Sequence, residues 1–280
     1  MKSLFTKGIP DVSVSSFLAS RGFRVRSQSS TRQTVLPRTV GWTDEERDLL
    51  FKVFHVRNDR RQLLEYIATD SEVKSGSVQR LVGSTGFSKD RNAFSATFEW
   101  YVAELLVREF GAFSSAFGVT LAEIKRNVDD GDPGDFDVLS VLRNMQLLYV
   151  ETKTGRFGRK DVEKAVQRGL SIHSLATVML VGKGVTHERV GQVLEGYSHP
   201  CTSTVRKFTE IRIKGVPEST IYRCVDCFFV PADSTSSDLE SKIRTVLRVL
   251  AADVVEKTRF VGLDPDTYAK VGYAVREFGI

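Results

Sequence analysis

Two carboxylates and a lysine, set at the ends of two neighbouring apolar runs, are the residues of this chain best suited to chemistry. The first run reads Gly134-Asp135-Phe136-Asp137-Val138-Leu139 and the second Leu148-Tyr149-Val150-Glu151-Thr152-Lys153. As strands, these runs alternate their side chains, so Glu151 and Lys153 share a face and Thr152 points the other way. Pairing through the short turn between the runs sets Asp137 opposite Glu151, to within about one residue of register. Charges at the end of an apolar hairpin are costly unless they are paired or bind something. A divalent metal is the natural compensation. Mg²⁺ takes hard oxygen ligands and keeps several waters, so one or two carboxylates suffice, with the Thr152 carbonyl as a further ligand. A lysine beside such an ion can orient or deprotonate water and offset charge on a phosphate. The bland alternative is a surface hairpin whose Asp, Glu and Lys form ion pairs of little energetic weight.

Asp137, Glu151 and Lys153 match the D…ExK signature, and their apolar, small-residue and ExK-Thr-Gly flanks resemble the PD-(D/E)xK, or restriction-endonuclease-like, nuclease superfamily. The resemblance covers residues 94–185, in the order helix, hairpin, helix, strand. The Pro-Asp of the family name is absent, because Phe136 precedes Asp137. In such enzymes an upstream helix often brings another metal-facing Glu, and Phe98-Glu99-Trp100-Tyr101-Val102-Ala103-Glu104-Leu105-Leu106 looks like that helix. At about 100° per residue, Glu99 borders the apolar face of Phe98, Val102 and Leu106, and Glu104 falls on the opposite side. The resemblance implies that Glu99, Asp137 and Glu151 hold one or two Mg²⁺ or Mn²⁺ ions, with Thr152 as a further metal contact. It implies that Lys153 positions the attacking water and stabilises the pentacovalent oxyanion. Asp135, on the face of Asp137, is either an auxiliary ligand or a solvated strand-end carboxylate.

Arg156, Arg159, Lys160, Lys164 and Arg168 follow the ExK segment at a loop and helix start, where they are candidates for phosphate contacts. A solvated helix face would carry the same residues. Gln167 sits where some relatives of the family carry a supporting polar residue.

Other candidates are weaker. Cys224-Val225-Asp226-Cys227, with His199-Pro200-Cys201 upstream, has zinc-ligand residue types. Cys224 and Cys227 fall, however, in a run that reads as one strand, where residues three apart point to opposite faces. Small buried thiols are the preferred reading of Cys201, Cys224 and Cys227. His55, His173 and His187 are scattered, and Ser174 beside His173 has no acid at useful spacing for a triad. Gly182-Lys183-Gly184 is too short for a phosphate-binding loop and reads as strand termination.

The elements that must position these residues follow from periodicity. Residues 41–89 read as short helices, with Thr43 and Glu46 as a capping box. A helix is expected over 94–110, strands over 136–142 and 147–153, a helix over 160–172 with Val162, Ala165, Val166 and Gly169 inward, and a strand over 176–181. Residues 118–130 are mixed and read as either a strand or a short helix, 129–134 form a loop, 205–213 and 221–230 are strands, and 238–257 is a long amphipathic helix. This is an α/β pattern.

The chain has 280 residues, 41% hydrophobic and 27% charged, which excludes a fibrous or mainly disordered protein. No apolar run approaches the roughly 20 residues that cross a bilayer, and three Cys do not make a disulfide framework. Residues 1–40 carry seven Lys and Arg against Asp11 alone, a net +6, which against a total of +5 leaves −1 for residues 41–280. Polyanion binding by the body must therefore be local. The leader is open to three readings: a mitochondrial transit segment, a phosphate-tracking arm, or a folded helix and strand around Val12 to Val25.

The expected architecture is a three-layer α/β/α sandwich with a mixed central sheet (residues 91–280), preceded by a basic leader or arm (1–40) and a helical N-terminal region (41–90). The expected function, implied by the resemblance, is a Mg²⁺- or Mn²⁺-dependent endonuclease acting on nucleic acid, DNA ahead of RNA. A homodimer is a further implication of that resemblance. No membrane is expected, and the location is cytoplasmic, or the mitochondrial matrix if the leader is a transit segment. The competing reading is a silent nuclease-fold module that binds nucleic acid or a partner in a repair or defence complex.

Overall fold

The two apolar runs that carry Asp137 and Glu151 lie side by side near the middle of an eight-stranded sheet. The structure, a computed structural model, describes residues 13–28, 93–123, 135–153, 155–195, 197, 208–213, 219–232 and 236–259. The helices and capping box expected within 41–89, the loop at 129–134, His55 and His199-Pro200-Cys201 lie outside the described residues.

In chain order the elements are α1 (Val14–Ser20), β1 (Phe23–Gln28), α2 (Ala93–Arg108), β2 (Ser114–Glu123), β3 (Asp135–Val141), β4 (Leu147–Lys153) and α3 (Arg159–Ser171). There follow β5 (Ala176–Val181), α4 (His187–Leu194), β6 (Thr209–Arg212), β7 (Thr220–Cys224), β8 (Cys227–Pro231) and α5 (Ser236–Arg259). The sheet order is β1-β2-β3-β4-β5-β8-β7-β6. Strands β1 to β4 form an antiparallel meander, β5 and β8 run parallel to β4, and β7 and β6 return antiparallel.

Apolar side chains of both sheet faces are covered. One layer joins Val138, Val150, Leu180 and Val230 to helices α2 and α5, and the other joins Leu139, Tyr149, Met179 and Phe229 to α1, α3 and α4. A sheet roofed on both sides explains why β4 and β5 read as continuous apolar runs rather than alternating ones. Helix α3 buries Val162, Ala165, Val166 and Gly169, as its periodicity requires. A Cβ on Gly169 would lie 2.1 Å from Thr177 Oγ1, so this glycine allows α3 to approach β5 closely.

Residues 13–28 belong to the same sheet. Ser13 caps α1 by accepting from the Ser16 N–H, Leu18 is fully buried, and β1 pairs with β2. Arg21 donates to the carbonyls of Ile172 (3.1 Å) and His173 (2.7 Å), placing a cation on the exposed end of α3.

Two local features, the start of β2 and the run 221–230, differ from the sequence expectation, while β3 and β4 form the expected hairpin. Strand β2 begins at Ser114, in a segment whose serines hide it; Ser115 pairs across the ladder by donating to Ser140 Oγ (2.8 Å). The β3–β4 turn lacks glycine, and Met145 takes the left-handed position at φ 58°. The run 221–230 is a hairpin rather than one strand, with Val225 (φ 57°) and Asp226 at its turn. Cys224 and Cys227 are therefore directly opposed and share the same apolar layer, correcting the expectation that they face apart; both are buried free thiols. Among the described residues, no helix is long and apolar enough to cross a membrane.

Candidate functional site

Strands β3 and β4 pair from Val141↔Leu147 to Val138↔Val150, and the site starts one residue beyond. Alternation along β4 sends Tyr149, Glu151 and Lys153 towards the layer of α3. On β3 the alternation breaks. Phe136 packs in the α3 layer and Val138 in the α2 layer, although they are two residues apart. The residue facing this break on β2 is Gly118, at φ 55°. The distortion lets Asp137 reach across to β4, where its Oδ2 accepts from the Thr152 N–H (2.7 Å) and from Thr152 Oγ1 (3.0 Å). Thr152 thus holds Asp137 with both its N–H and its hydroxyl.

Glu151 is 2% exposed. Its Oε1 accepts from Lys153 Nζ (2.9 Å), and its Oε2 accepts from the Tyr149 hydroxyl and lies 3.5 Å from Arg168 Nη1. Lys153 in turn contacts Asp161 Oδ1 at 3.3 Å. Asp161 is itself fixed at the start of α3, where its Oδ2 accepts from the Gly158 N–H at 2.9 Å.

The electrostatics follow from this crowding. Burial, then the neighbouring Glu151 charge, pushes the Asp137 carboxyl up to about 7, against the opposing pull of the Thr152 hydrogen bonds and Lys153. Burial raises the Tyr149 phenol well above its ordinary value, reinforced by Glu151 and Asp137, so it stays a donor. Burial pulls Lys153 down, but Glu151 and then Asp161 outweigh it and the net shift is upward, so Lys153 stays an ammonium.

The other residues singled out from sequence are distributed as follows. Glu99 on α2 is 6% exposed and Glu104 is half-buried, and α2 lies on the sheet face opposite the Glu151 side chain. Asp135 is exposed at the start of β3. Arg156, Arg159, Lys160 and Lys164 are exposed, with Arg159 ion-paired to Glu163 at 2.9 Å. Arg168 instead turns inward: its side chain is 11% exposed and its guanidinium lies over the Phe136 ring, 5.8 Å from the centroid. Gln167 is exposed, and it is Asp161 and Arg168 of α3 that reach the ExK segment. His173 and His187 sit beyond opposite ends of β5. His187 pairs with Glu210 and stacks on Phe208, 4.8 Å between centroids.

Tyr149, Asp161 and Lys183 were not singled out as site residues. Period-two counting back from Glu151 points to Tyr149. The Gly158-to-Asp161 spacing is a helix-start signal. Lys183 is exposed in the loop after β5, which is tied to the site by the Gly182 N–H donating to the Lys153 carbonyl (2.6 Å).

The donor chemistry suits a hard cation. Glu151 supplies a buried carboxylate and Asp137 a half-buried one whose charges repel each other, and Mg²⁺ needs only one or two such ligands beside its waters. Among the described residues, no group of three or more His, Cys, Asp or Glu is arranged to hold a metal ion. No protein-family model matches the chain, and no curated protein matches it.

Proposed function

We propose that this protein is a metal-dependent nuclease of the PD-(D/E)xK type, hydrolysing phosphodiester bonds of nucleic acid, DNA ahead of RNA. The observation that carries the reading is the buried carboxylate of Glu151 beside the half-buried carboxylate of Asp137 at the parting ends of β3 and β4, with the Lys153 ammonium on Glu151. The connectivity adds support: helix α2, antiparallel strands β2 to β4, helix α3, then β5 parallel to β4. This is the order of elements that the resemblance implies, with one strand more.

Asp137 and Glu151, with the Thr152 carbonyl as a further candidate, would hold Mg²⁺ or Mn²⁺; Glu99, expected as a third ligand, belongs to α2 on the opposite face of the sheet and is not brought to them. When bound, the ion would supply Lewis-acid polarisation of the phosphodiester and a more acidic attacking water. Lys153, partly open to solvent and held by Glu151 and Asp161, would supply an ammonium to offset the developing oxyanion charge. Thr152 fixes Asp137 through two hydrogen bonds, so this carboxylate does not have to be ordered when substrate arrives. The exposed cations Arg156, Arg159, Lys160 and Lys164, together with Lys183 on the adjoining loop, offer a path for the phosphate backbone.

The test is cleavage of plasmid, linear duplex, single-stranded DNA and RNA with Mg²⁺, Mn²⁺ or EDTA, comparing wild type with Glu151→Ala. Metal-dependent cutting lost in the variant is the expected outcome. Binding without cutting under every condition would replace the nuclease with a silent nucleic-acid-binding module.

A further inference from the structure

A carboxylate turns broadly about its last torsion, so a carboxylate that must present one oxygen to a metal has to be held. Around Glu151 the holding groups are visible. The Tyr149 ring is fully buried and packs edge-on against Phe136, with centroids 5.3 Å apart and planes at 72°. Its hydroxyl, donated to Glu151 Oε2, therefore has little freedom to swing away. The same Phe136 ring lies beneath the Arg168 guanidinium, whose Nη1 lies 3.5 Å from the same oxygen. Lys153 engages Oε1 and is steadied by Asp161. Asp161 and Arg168 stand seven residues apart on α3, two turns along one helix face, so a single helix steadies both sides of the carboxylate.

Resting on the metal reading above, we propose that Tyr149 and Arg168 are positioning residues that occupy Oε2 of Glu151, so that a divalent cation meets this carboxylate through Oε1 alone. Neither residue touches substrate in this scheme. Both act through Glu151, in the way that partners of a ligating carboxylate set its orientation.

The test is Mn²⁺ binding measured by titration calorimetry on the full chain, together with the rise in melting temperature that Mn²⁺ induces. Tyr149→Phe keeps the ring and deletes the hydroxyl; it should weaken Mn²⁺ binding by about 10- to 100-fold. Arg168→Met should weaken it comparably, and Arg168→Lys should recover part of the loss. Cleavage by Tyr149→Phe should approach the wild-type rate at saturating Mn²⁺, which a misfolded variant would not do. If Tyr149→Phe does not fold, Arg168→Met and Arg168→Lys decide alone. Wild-type Mn²⁺ affinity in these variants, with binding abolished by Glu151→Ala, would overturn the positioning role and leave the metal reading intact. Failure of the wild type to bind Mn²⁺, or undiminished binding by Glu151→Ala, would overturn the metal reading and the proposal with it.

Discussion

Two lysine–carboxylate clusters sit at the same end of the sheet, one on each face, and they are built to opposite specifications. Lys153, Val181 and Pro231 are in register across β4, β5 and β8. On the α3 face Lys153 meets Glu151 and Asp161; on the α5 face Lys242 donates to the Pro231 carbonyl (2.9 Å) and pairs with Asp238, which also accepts from Ser219 Oγ (2.6 Å). The Lys242 side chain is 4% exposed and is closed off in its pair with Asp238. The Lys153 side chain is 28% exposed, and in its cluster three carboxylates (Asp137, Glu151, Asp161) meet two cations (Lys153, Arg168). The residue types are the same. Access and the crowding of carboxylates separate a pair that closes the fold from a cluster left open to a cationic ligand.

The sharpest separation is in activity. Glu151→Ala should reduce metal-dependent cleavage to background in a gel assay while the cooperative unfolding transition persists, because the variant removes a charge from a crowded site. Parallel loss of fold and activity would make the two clusters alike and break the comparison.

Next in size is the opposite experiment. Lys242→Met leaves Asp238 buried without its ammonium and should cost about 3–5 kcal/mol of stability in a denaturant titration. Its turnover per folded molecule should equal wild type at low temperature. A stability loss below about 1 kcal/mol would put Lys242 in the class of exposed pairs.

The two clusters were unequally legible beforehand. Strand β4 and the inward set of α3 could be read directly, because a fully covered strand is a continuous apolar run and α3 keeps a helical period. The shared face of Glu151 and Lys153 followed from strand alternation, whereas Asp137 reaches them through the break in alternation on β3. The roles of Arg168, Asp161 and Lys242 did not, since each depends on how a helix is rotated over the sheet, which local spacing does not determine. The β7–β8 hairpin was missed because its turn places Val225, a β-branched residue, where glycine or asparagine usually signals a left-handed backbone. The start of strand β2 was hidden by its serines, of which Ser115 finds its partner across the ladder in Ser140.

A smaller effect should appear in the pH dependence of stability without metal. The Asp137 carboxyl titrates at about 7 in the folded chain, against 3.8 ordinarily. Between these values the folded state holds the proton more tightly than the unfolded state, so this group's contribution to stability falls as pH rises. Asp137→Asn should therefore flatten the decline in melting temperature from pH 5 to pH 8 relative to wild type. Mn²⁺, which competes with that proton, should bind more tightly as pH rises. A wild-type profile identical to that of Asp137→Asn would remove the crowding that distinguishes this cluster from the Lys242 pair.

The smallest predicted change concerns the rim of the cluster rather than its centre. Arg156 and Lys183 are exposed on neighbouring loops; a Cβ on Gly184 would lie 3.9 Å from Arg156 Cγ, and the Gly182 N–H bonds to the Lys153 carbonyl. If both cations follow a duplex phosphate backbone, each releases about one counterion on binding. Arg156→Gln and Lys183→Gln should then each reduce the slope of log K against log salt by about 1, measured by fluorescence anisotropy in EDTA so that the DNA stays intact. Lys242→Met, on the other face, should leave the slope unchanged. Equal slopes in all three variants would place the nucleic acid elsewhere and leave the carboxylate cluster without its neighbouring cationic track.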